Sequence, residues 1–249
     1  MRILVAVKRV PITGGKRVLT DDEQTIQTRH LGFTISPHEE CGVEEAVRIV
    51  EAQGGEVVVL TLGPAEAEEQ LRESMALGAD RAIHLESAEE WDAQATASAL
   101  LDAIRSEEAF DLIVFGNESA DAGNYQVGIR VAYALGLPVV TGLKGITVAE
   151  GRARCEQEVP GGRDVYDVPL PAVVTVKEGL NLPRYPSVPA KLRANRKPVD
   201  ARPVERPASK LEKLRLVVPE GQGKQAEILG HGAEAAPAVV EVMQKLGVA

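Results

Sequence analysis

The sequence predicts an α/β fold: a doubly wound parallel sheet with an antiparallel hairpin and an extended C-terminal arm. Up to residue 140, short runs of Val, Ile and Leu alternate with segments whose apolar residues recur at helical spacing. This alternation is typical of a parallel sheet covered by helices on both faces. From Ile146 the pattern changes to closely spaced strands separated by glycine turns, and prolines and arginines accumulate over residues 183–207. Each of these three regions accounts for one part of the predicted architecture.

The parallel sheet is expected to contain five buried strands, joined by right-handed helical crossovers. The strands are predicted over residues 3–7, 56–62, 81–85, 111–116 and 137–140. The first connecting helix has the clearest start signal, with Ser36 as N-cap, Pro37 at the first helical position and Glu39 completing a capping box. The later helices are expected to end at Gly78, to cover residues 92–104 and to cover residues 125–135.

After the sheet, strands over 146–148 and 153–159 are predicted to form an antiparallel hairpin, and a second turn leads to residues 164–168 and a buried strand at 172–176. Pro183, Pro186 and Pro189 argue against a helix or a central strand, because proline lacks the N–H donor. A stiff irregular loop that presents Arg184, Tyr185 and Val188 is therefore expected, either as a docking surface or as a connector between lobes. Residues 183–207 should cross a surface, and residues 233–246 should form an amphipathic helix.

Composition excludes several classes of protein. The net charge of −9 argues against a nucleic-acid surface, and the cationic segment 191–206 has no aromatic residues to stack on bases. Cys41 and Cys155 lack the spacing of a zinc site, so no metal site is expected. The first apolar stretch is too short for a signal peptide, and no segment has the length of a membrane span. A soluble cytoplasmic protein is predicted.

A polar loop after the fourth strand is the strongest candidate binding site. Residues 116–128 contain three glycines and lead into a helix, at the sheet edge where open α/β sheets bind ligands. Exposed N–H groups at the helix start could hold a phosphate. The sequence contains no GxGxxG or Walker A motif. A solvated connecting loop is the alternative.

No catalytic set is apparent. The four histidines, at positions 30, 38, 84 and 231, are scattered, and His84 lies inside an apolar strand, where a packed side chain is expected. Neither cysteine has a recognisable base beside it. The pattern therefore favours a binding or carrier protein over an enzyme.

An ordered series of short motifs resembles the β subunit of electron transfer flavoproteins. The matching segments are LVAVKRV at 4–10, VEEAVR at 43–48, LGPA at 62–65, ALGADR at 76–81, the loop 116–128, 156–162, LPAVVT at 170–175, and LN with PRY at 180–185. The resemblance as a whole extends over residues 2 to about 197. The resemblance implies a non-enzymatic carrier of the adenine-nucleotide-binding type, which pairs with an α subunit that holds most of the redox-active FAD.

The resemblance also implies that this subunit binds AMP, which has no redox role. By residue-wise match the AMP site consists of Ala6, Ser36, Pro37, His38, Glu39, Leu62, Gly116, Asn117, Glu118, Ser119, Ala120, Asp121, Ala122, Gly123, Asn124, Tyr125, Gln126 and Val127.

Two further surfaces follow from the resemblance. Glu158 matches a glutamate that pairs with an arginine beside the flavin, and Thr13 and His38 occupy positions where relatives place aromatic residues near the flavin. Residues 184–193 match a recognition loop for acyl-CoA dehydrogenases or similar flavoproteins of fatty-acid β-oxidation, with Val188 as the apolar anchor. Residues 1–190 are expected to form the nucleotide-binding domain, and residues 191–249 an arm and terminal helix that pack on the α subunit.

Two alternatives stay open at this point. A second FAD could occupy the AMP site, which would make the chain part of an electron-bifurcating protein. A stand-alone sensor of adenine nucleotides would share the sheet, but it would leave the hairpin and the proline-rich loop unexplained.

Overall fold

The fold is a nine-stranded sheet with helices on both faces, described by a computed structural model over residues 1–14, 17–208, 211–218 and 227–248. The sheet strands are β1 (Arg2–Ala6), β4 (Glu56–Gly63), β5 (Arg81–Glu86), β6 (Leu112–Gly116), β7 (Val139–Ala149), β8 (Arg152–Val159), β9 (Gly162–Pro169), β10 (Ala172–Val176) and β11 (Val199–Pro203). A small antiparallel pair is formed by β2 (Val10–Pro11) and β3 (Phe33–Thr34). The helices are α1 (Pro37–Gln53), α2 (Glu68–Leu77), α3 (Ala93–Arg105), α4 (Val127–Leu135), α5 (Val188–Ala194) and α6 (Ala236–Lys245).

The strand order is β11-β5-β4-β1-β6-β10-β7-β8-β9, and every pair from β11 to β7 is parallel. The chain builds outward from β1 through β4 and β5, then crosses to the other side of β1 with β6. The predicted α/β class with a parallel sheet is confirmed. This change of direction leaves a topological switch point between β1 and β6, where open sheets of this kind bind ligands.

Alternating residues of the central strands fill two cores. Ile3 and Val5 of β1 face one cluster with α1 and α2, whereas Leu4 and Ala6 face the other with α3 and α4. All four are buried. The unbroken apolar runs seen in the sequence are therefore strands that are covered on both faces.

The hairpin begins earlier than predicted. The fifth predicted strand and the first hairpin strand are one strand, β7, which pairs with β10 near Val140 and then with β8 from Leu143 onward. Gly142, at φ 66°, and a register shift between Leu143 and Gly145 lie within it. Such irregularities allow a strand to bend while continuing its hydrogen bonding. Gly142 and Gly145 are therefore internal to one long strand.

The prediction for residues 183–207 is wrong over much of its length. Val188 begins helix α5, with Ser187 as N-cap, and β11 adds to the sheet edge in parallel with β5. Pro189 lies in the first turn, where a missing N–H costs nothing, so it starts a helix that it was expected to prevent. The domain boundary predicted at residue 190 falls inside α5.

Helix α6 confirms the predicted terminal helix. A 3₁₀ turn at Gly232–Ala235 precedes it, and its apolar stripe of Val239, Val242 and Met243 is exposed. Residues 209–210, 219–226 and 249 of the predicted arm lie outside the described residues. In the part of the chain that is described, no helix is long and apolar enough to cross a membrane.

Candidate functional site

A cavity of about 260 Å³ lies at the carboxyl ends of the central strands, on both sides of the switch point. Its walls come from residues that directly follow β1, β4, β5 and β6. Most of the sequence-predicted cofactor residues line it: Ala6, Glu39, Leu62, Gly116, Asn117, Glu118, Ser119, Asp121, Asn124, Tyr125, Gln126 and Val127. The topology thus brings together residues as far apart in sequence as Ala6 and Val127.

The other predicted cofactor residues lie outside this wall. The Ser36 hydroxyl donates to the Glu118 carbonyl oxygen at 3.3 Å. His38 accepts a hydrogen bond from the Glu178 N–H at Nδ1 (2.8 Å) and places Nε2 3.4 Å from Glu118 Oε1. Both side chains therefore contact Glu118 and support the 116–127 loop. Pro37 is exposed at the start of α1, and Ala120, Ala122 and Gly123 also lie outside the lining of this cavity.

Glu39 is the one buried carboxyl group in the cavity wall. Its Oε2 accepts hydrogen bonds from the backbone N–H groups of Lys8 at 3.0 Å and Ser36 at 3.2 Å. Burial raises the pKa of Glu39 to about 8, and the two N–H groups only partly offset this effect. The capping box places Glu39 beside Ser36, and the hydrogen bond from Lys8 ties the start of α1 to the residues that follow β1.

The backbone approaches its surroundings closely at two glycines, one at the start of the 116–127 loop and one in the first turn of α4. A Cβ at Gly116 would lie 2.8 Å from Glu39 Cγ, and one at Gly128 would lie 3.0 Å from the Phe115 ring. Helix α4 begins at Val127, two residues later than predicted, because Tyr125 has a φ of 55°. The N-terminal end of α4, with Gln126, Val127 and Gly128, therefore faces the cavity.

Sequence reasoning missed two parts of this cavity. Lys8 and Arg9, which follow β1, bring cationic side chains to a loop that has none of its own. Lys8 Nζ lies 2.6 Å from Asp121 Oδ2. Burial alone would raise the pKa of Asp121, but Lys8 and hydrogen bonds from Ser119 and the Ala122 N–H lower it below its ordinary value. The place of Lys8 directly after the first strand was the signal that could have found it.

The second missed part is a wall formed by the segment after β5. Trp91 and the first residues of α3, among them Ala93 and Thr96, line the cavity as part of the segment between β5 and β6. A larger cavity of about 1250 Å³ adjoins it, is lined in part by residues 204–208 and 211–213, and shares Trp91 with it. In the sequence this segment had only the appearance of a connection between a strand and a helix.

Comparison with known proteins decides the family. Residues 24–207 match the model of the electron transfer flavoprotein domain, which covers most of the chain. The chain belongs to the electron transfer flavoprotein family. It is 35% identical over 229 residues to the protein named electron transfer flavoprotein subunit beta in Syntrophomonas wolfei, covering 92% of this chain and 90% of that one. Proteins of the same name from Bacillus subtilis (34%, 80% of this chain and 78% of that one) and Mycobacterium leprae (37%, 79% and 77%) are also similar.

In this electron transfer flavoprotein subunit, Arg184 is turned inward. Its guanidinium lies 2.9 Å from a carboxylate oxygen of Glu44 and 2.6 Å from one of Glu51, both on α1. These two contacts raise the pKa of Arg184 above its ordinary value. Arg184 therefore fixes the segment to the domain, and the side chains left exposed beside it are Leu182 and Tyr185 (each 90%), Val188 (71%) and Leu192 (63%).

The residues predicted to contact the flavin domain lie elsewhere on the electron transfer flavoprotein fold. Glu158 is exposed on β8, opposite Arg163 of β9, and Thr13 is half-buried after β2. Cys41 and Cys155 are buried free thiols, and His84 is packed with Nε2 3.2 Å from the Gly63 carbonyl oxygen. No cluster of three metal-ligating side chains is found among the described residues.

Proposed function

We propose that this β subunit carries electrons as one half of a heterodimer. An α subunit would hold most of the FAD, and this chain would bind AMP structurally. Electrons would pass from an acyl-CoA dehydrogenase or similar flavoprotein to a downstream acceptor. The observation that carries the proposal is the cavity at the switch point, in a chain whose relatives are named electron transfer flavoprotein subunits.

The cavity fits a mononucleotide in size and chemistry. Its volume of about 260 Å³ is near the lower limit of small-molecule sites, roughly 300–1,000 Å³. One end carries the α4 N-terminus and the glycine-rich loop, which suit a phosphate group, with Lys8 beside them. The lining contributed by β4, β5 and α3 includes apolar Leu62, Pro64 and Leu100, together with Glu89 and Glu90. A base and a phosphate group would therefore find different surroundings at the two ends.

An obligate partner would explain the uncovered apolar surface. Helix α6 exposes Val239, Val242 and Met243, and the last hairpin strand exposes Val165 and Tyr166. Contiguous apolar surface of this kind marks interaction sites in folded proteins. Permanent complexes bury roughly 2,000 Å² or more, which an arm and a hairpin acting together could supply.

FAD, when bound, would supply the electron-transfer chemistry, and the residues of this chain would position the partners. Glu158 would pair with a cation of the α subunit and influence the orientation of its flavin domain. Val188, held out at the start of α5, would anchor the dehydrogenase, and Tyr185 would flank it. Arg184, predicted to take part in that contact, would act indirectly by fixing the segment through Glu44 and Glu51.

Co-expression with its α subunit tests this function. The expected result is a yellow complex of one copy of each chain, whose flavin is reduced by substrate only when an acyl-CoA dehydrogenase is present. The chain expressed alone should carry no flavin. A monodisperse monomer that accepts electrons by itself would overturn the proposal.

One observation favours the bifurcating alternative. The larger cavity adjoins the nucleotide cavity and shares Trp91, Asn124 and Gln126 with it. A dinucleotide could extend from one cavity into the other. Two FAD molecules per heterodimer, with no AMP, would identify that arrangement. A nucleotide sensor without a partner is less well supported, because it leaves the exposed surface of α6 without a role.

A further inference from the structure

We propose that Trp91 stacks on the base of the bound nucleotide and positions it in the cavity. The inference rests on the proposed nucleotide site and adds a residue that the 116–127 loop does not include. Trp91 is the single tryptophan of a chain in which aromatic residues make up 3% of the sequence. Trp91 is half-buried and lines the cavity, in the segment that follows β5.

The sheet order separates the two ends of the site. The loop that follows β6 lies on one side of β1, and the segments that follow β4 and β5 lie on the other. From β5 to β6 there are three strand spacings, or about 14 Å. A phosphate group at the start of α4 would therefore direct the sugar and base toward Leu62, Pro64 and Trp91.

Hydrogen bonds on both sides of Trp91 fix its position. The indole Nε1–H donates to Ser87 Oγ at 3.0 Å, and the Ser87 N–H donates to the Gly63 carbonyl oxygen at 2.9 Å. On its other side, Asp92 caps α3 by accepting hydrogen bonds at Oδ1 from the N–H groups of Gln94 and Ala95. A ring fixed in this way loses little conformational freedom when a ligand binds.

Arg206 and Lys213, which follow β11, contact the residues directly before Trp91. Arg206 lies 2.9 Å from Glu89 Oε2 and donates to the Glu90 carbonyl oxygen at 3.0 Å. Lys213 pairs with the Glu90 carboxylate. The residues just before Trp91 are therefore clamped between the sheet and the segment that follows β11.

The other aromatic residues of the cavity are poorly suited to this role. Phe115 is a buried core residue beneath the loop, packed against Gly128. Tyr125 belongs to the phosphate end, where a hydrogen bond to Glu118 raises the pKa of its hydroxyl group. Trp91 is left as the ring at the base end, and aromatic stacking binds any base through its π face.

The test uses the heterodimer stripped of nucleotide, titrated calorimetrically with AMP and with ribose 5-phosphate, which lacks the base. Trp91→Ala should weaken AMP binding about five- to hundredfold, because stacking on a base is a substantial part of affinity. Trp91→Phe should stay within about threefold of the wild type, since the ring is kept. Ribose 5-phosphate should bind equally to all three proteins.

The matched control is Tyr133→Ala, which removes a 90% exposed aromatic side chain outside both cavities. It should leave both affinities unchanged. Equal AMP affinity for the wild type and Trp91→Ala would overturn the stacking role while leaving the nucleotide site intact. Equal losses of AMP and ribose 5-phosphate would show a merely structural role and also overturn it. A wild-type heterodimer that does not bind AMP would instead refute the proposed nucleotide function.

Discussion

Ionisation of Glu39 should destabilise this protein as the pH rises. The carboxyl group is 5% exposed, and burial raises its pKa to about 8, whereas the ordinary value is 4.5. Between these two values the folded state binds more protons than the unfolded state. The stability contributed by the neutral group is therefore fully present below pH 4.5 and is lost as the pH rises through 8.

The size of the effect follows from the shift. Each pKa unit corresponds to about 1.36 kcal/mol, so the penalty at alkaline pH is on the order of a few kcal/mol, with about 5 as the upper bound. In a chain of 249 residues a change of this size would lower Tm by on the order of 10 °C. Glu39→Gln stays neutral and keeps an oxygen that can accept the Lys8 and Ser36 N–H bonds, so it should lack this loss.

The assay is thermal unfolding of the heterodimer between pH 6 and pH 9.5. The Tm of the wild type should fall relative to that of Glu39→Gln from pH 6 up to about pH 8, and the gap between the two curves should then stay constant. Glu66→Gln is the control, because Glu66 is an exposed carboxylate in a helical turn. Parallel pH profiles for the wild type and Glu39→Gln would refute the argument.

Three further predictions concern the partner surfaces. Val188→Ala should slow dehydrogenase-dependent reduction several-fold, because Ala keeps part of the roughly 1.5–3 kcal/mol of a buried valine. Tm and dithionite reduction should stay normal, and a loss of Tm would mark a core residue. Arg184→Ala should cost about 1–3 kcal/mol in urea unfolding, because it leaves the buried Glu44 without its closest cation; an unchanged midpoint would contradict this. Glu158→Ala should slow electron transfer and change solution scattering without changing Tm, since exposed ion pairs contribute only about 0–1 kcal/mol. An unchanged electron-transfer rate and unchanged solution scattering in Glu158→Ala would show that Glu158 does not orient the flavin domain.

The sequence predicts the central sheet well because its signals are local. Strands covered on both faces need continuous apolar runs, and β1, β4 and β6 have them. Ser36 and Glu39 mark the start of α1 in the same way. The binding loop could also be placed, because a polar loop after a buried strand of a parallel sheet has to lie at its carboxyl edge.

What the sequence does not predict depends on contacts between distant segments. The pairing of β11 with β5 spans more than a hundred residues, and an edge strand needs no continuous apolar run. A proline such as Pro189 breaks a helix when it lies in the interior, but it is favoured in the first turn. The sequence does not show which of these two positions Pro189 occupies. Lys8 and Trp91 reach the cavity because β1 and β5 lie near β6 in the sheet, a proximity that no local pattern expresses.

The nucleotide content of the purified heterodimer tests the central claim most directly. The complex is denatured with acid, and the released nucleotides are separated by chromatography and counted against protein. We expect one AMP and one FAD per heterodimer. Release of FAD without any AMP, in a complex that still transfers electrons, would contradict the assignment of the cavity to AMP.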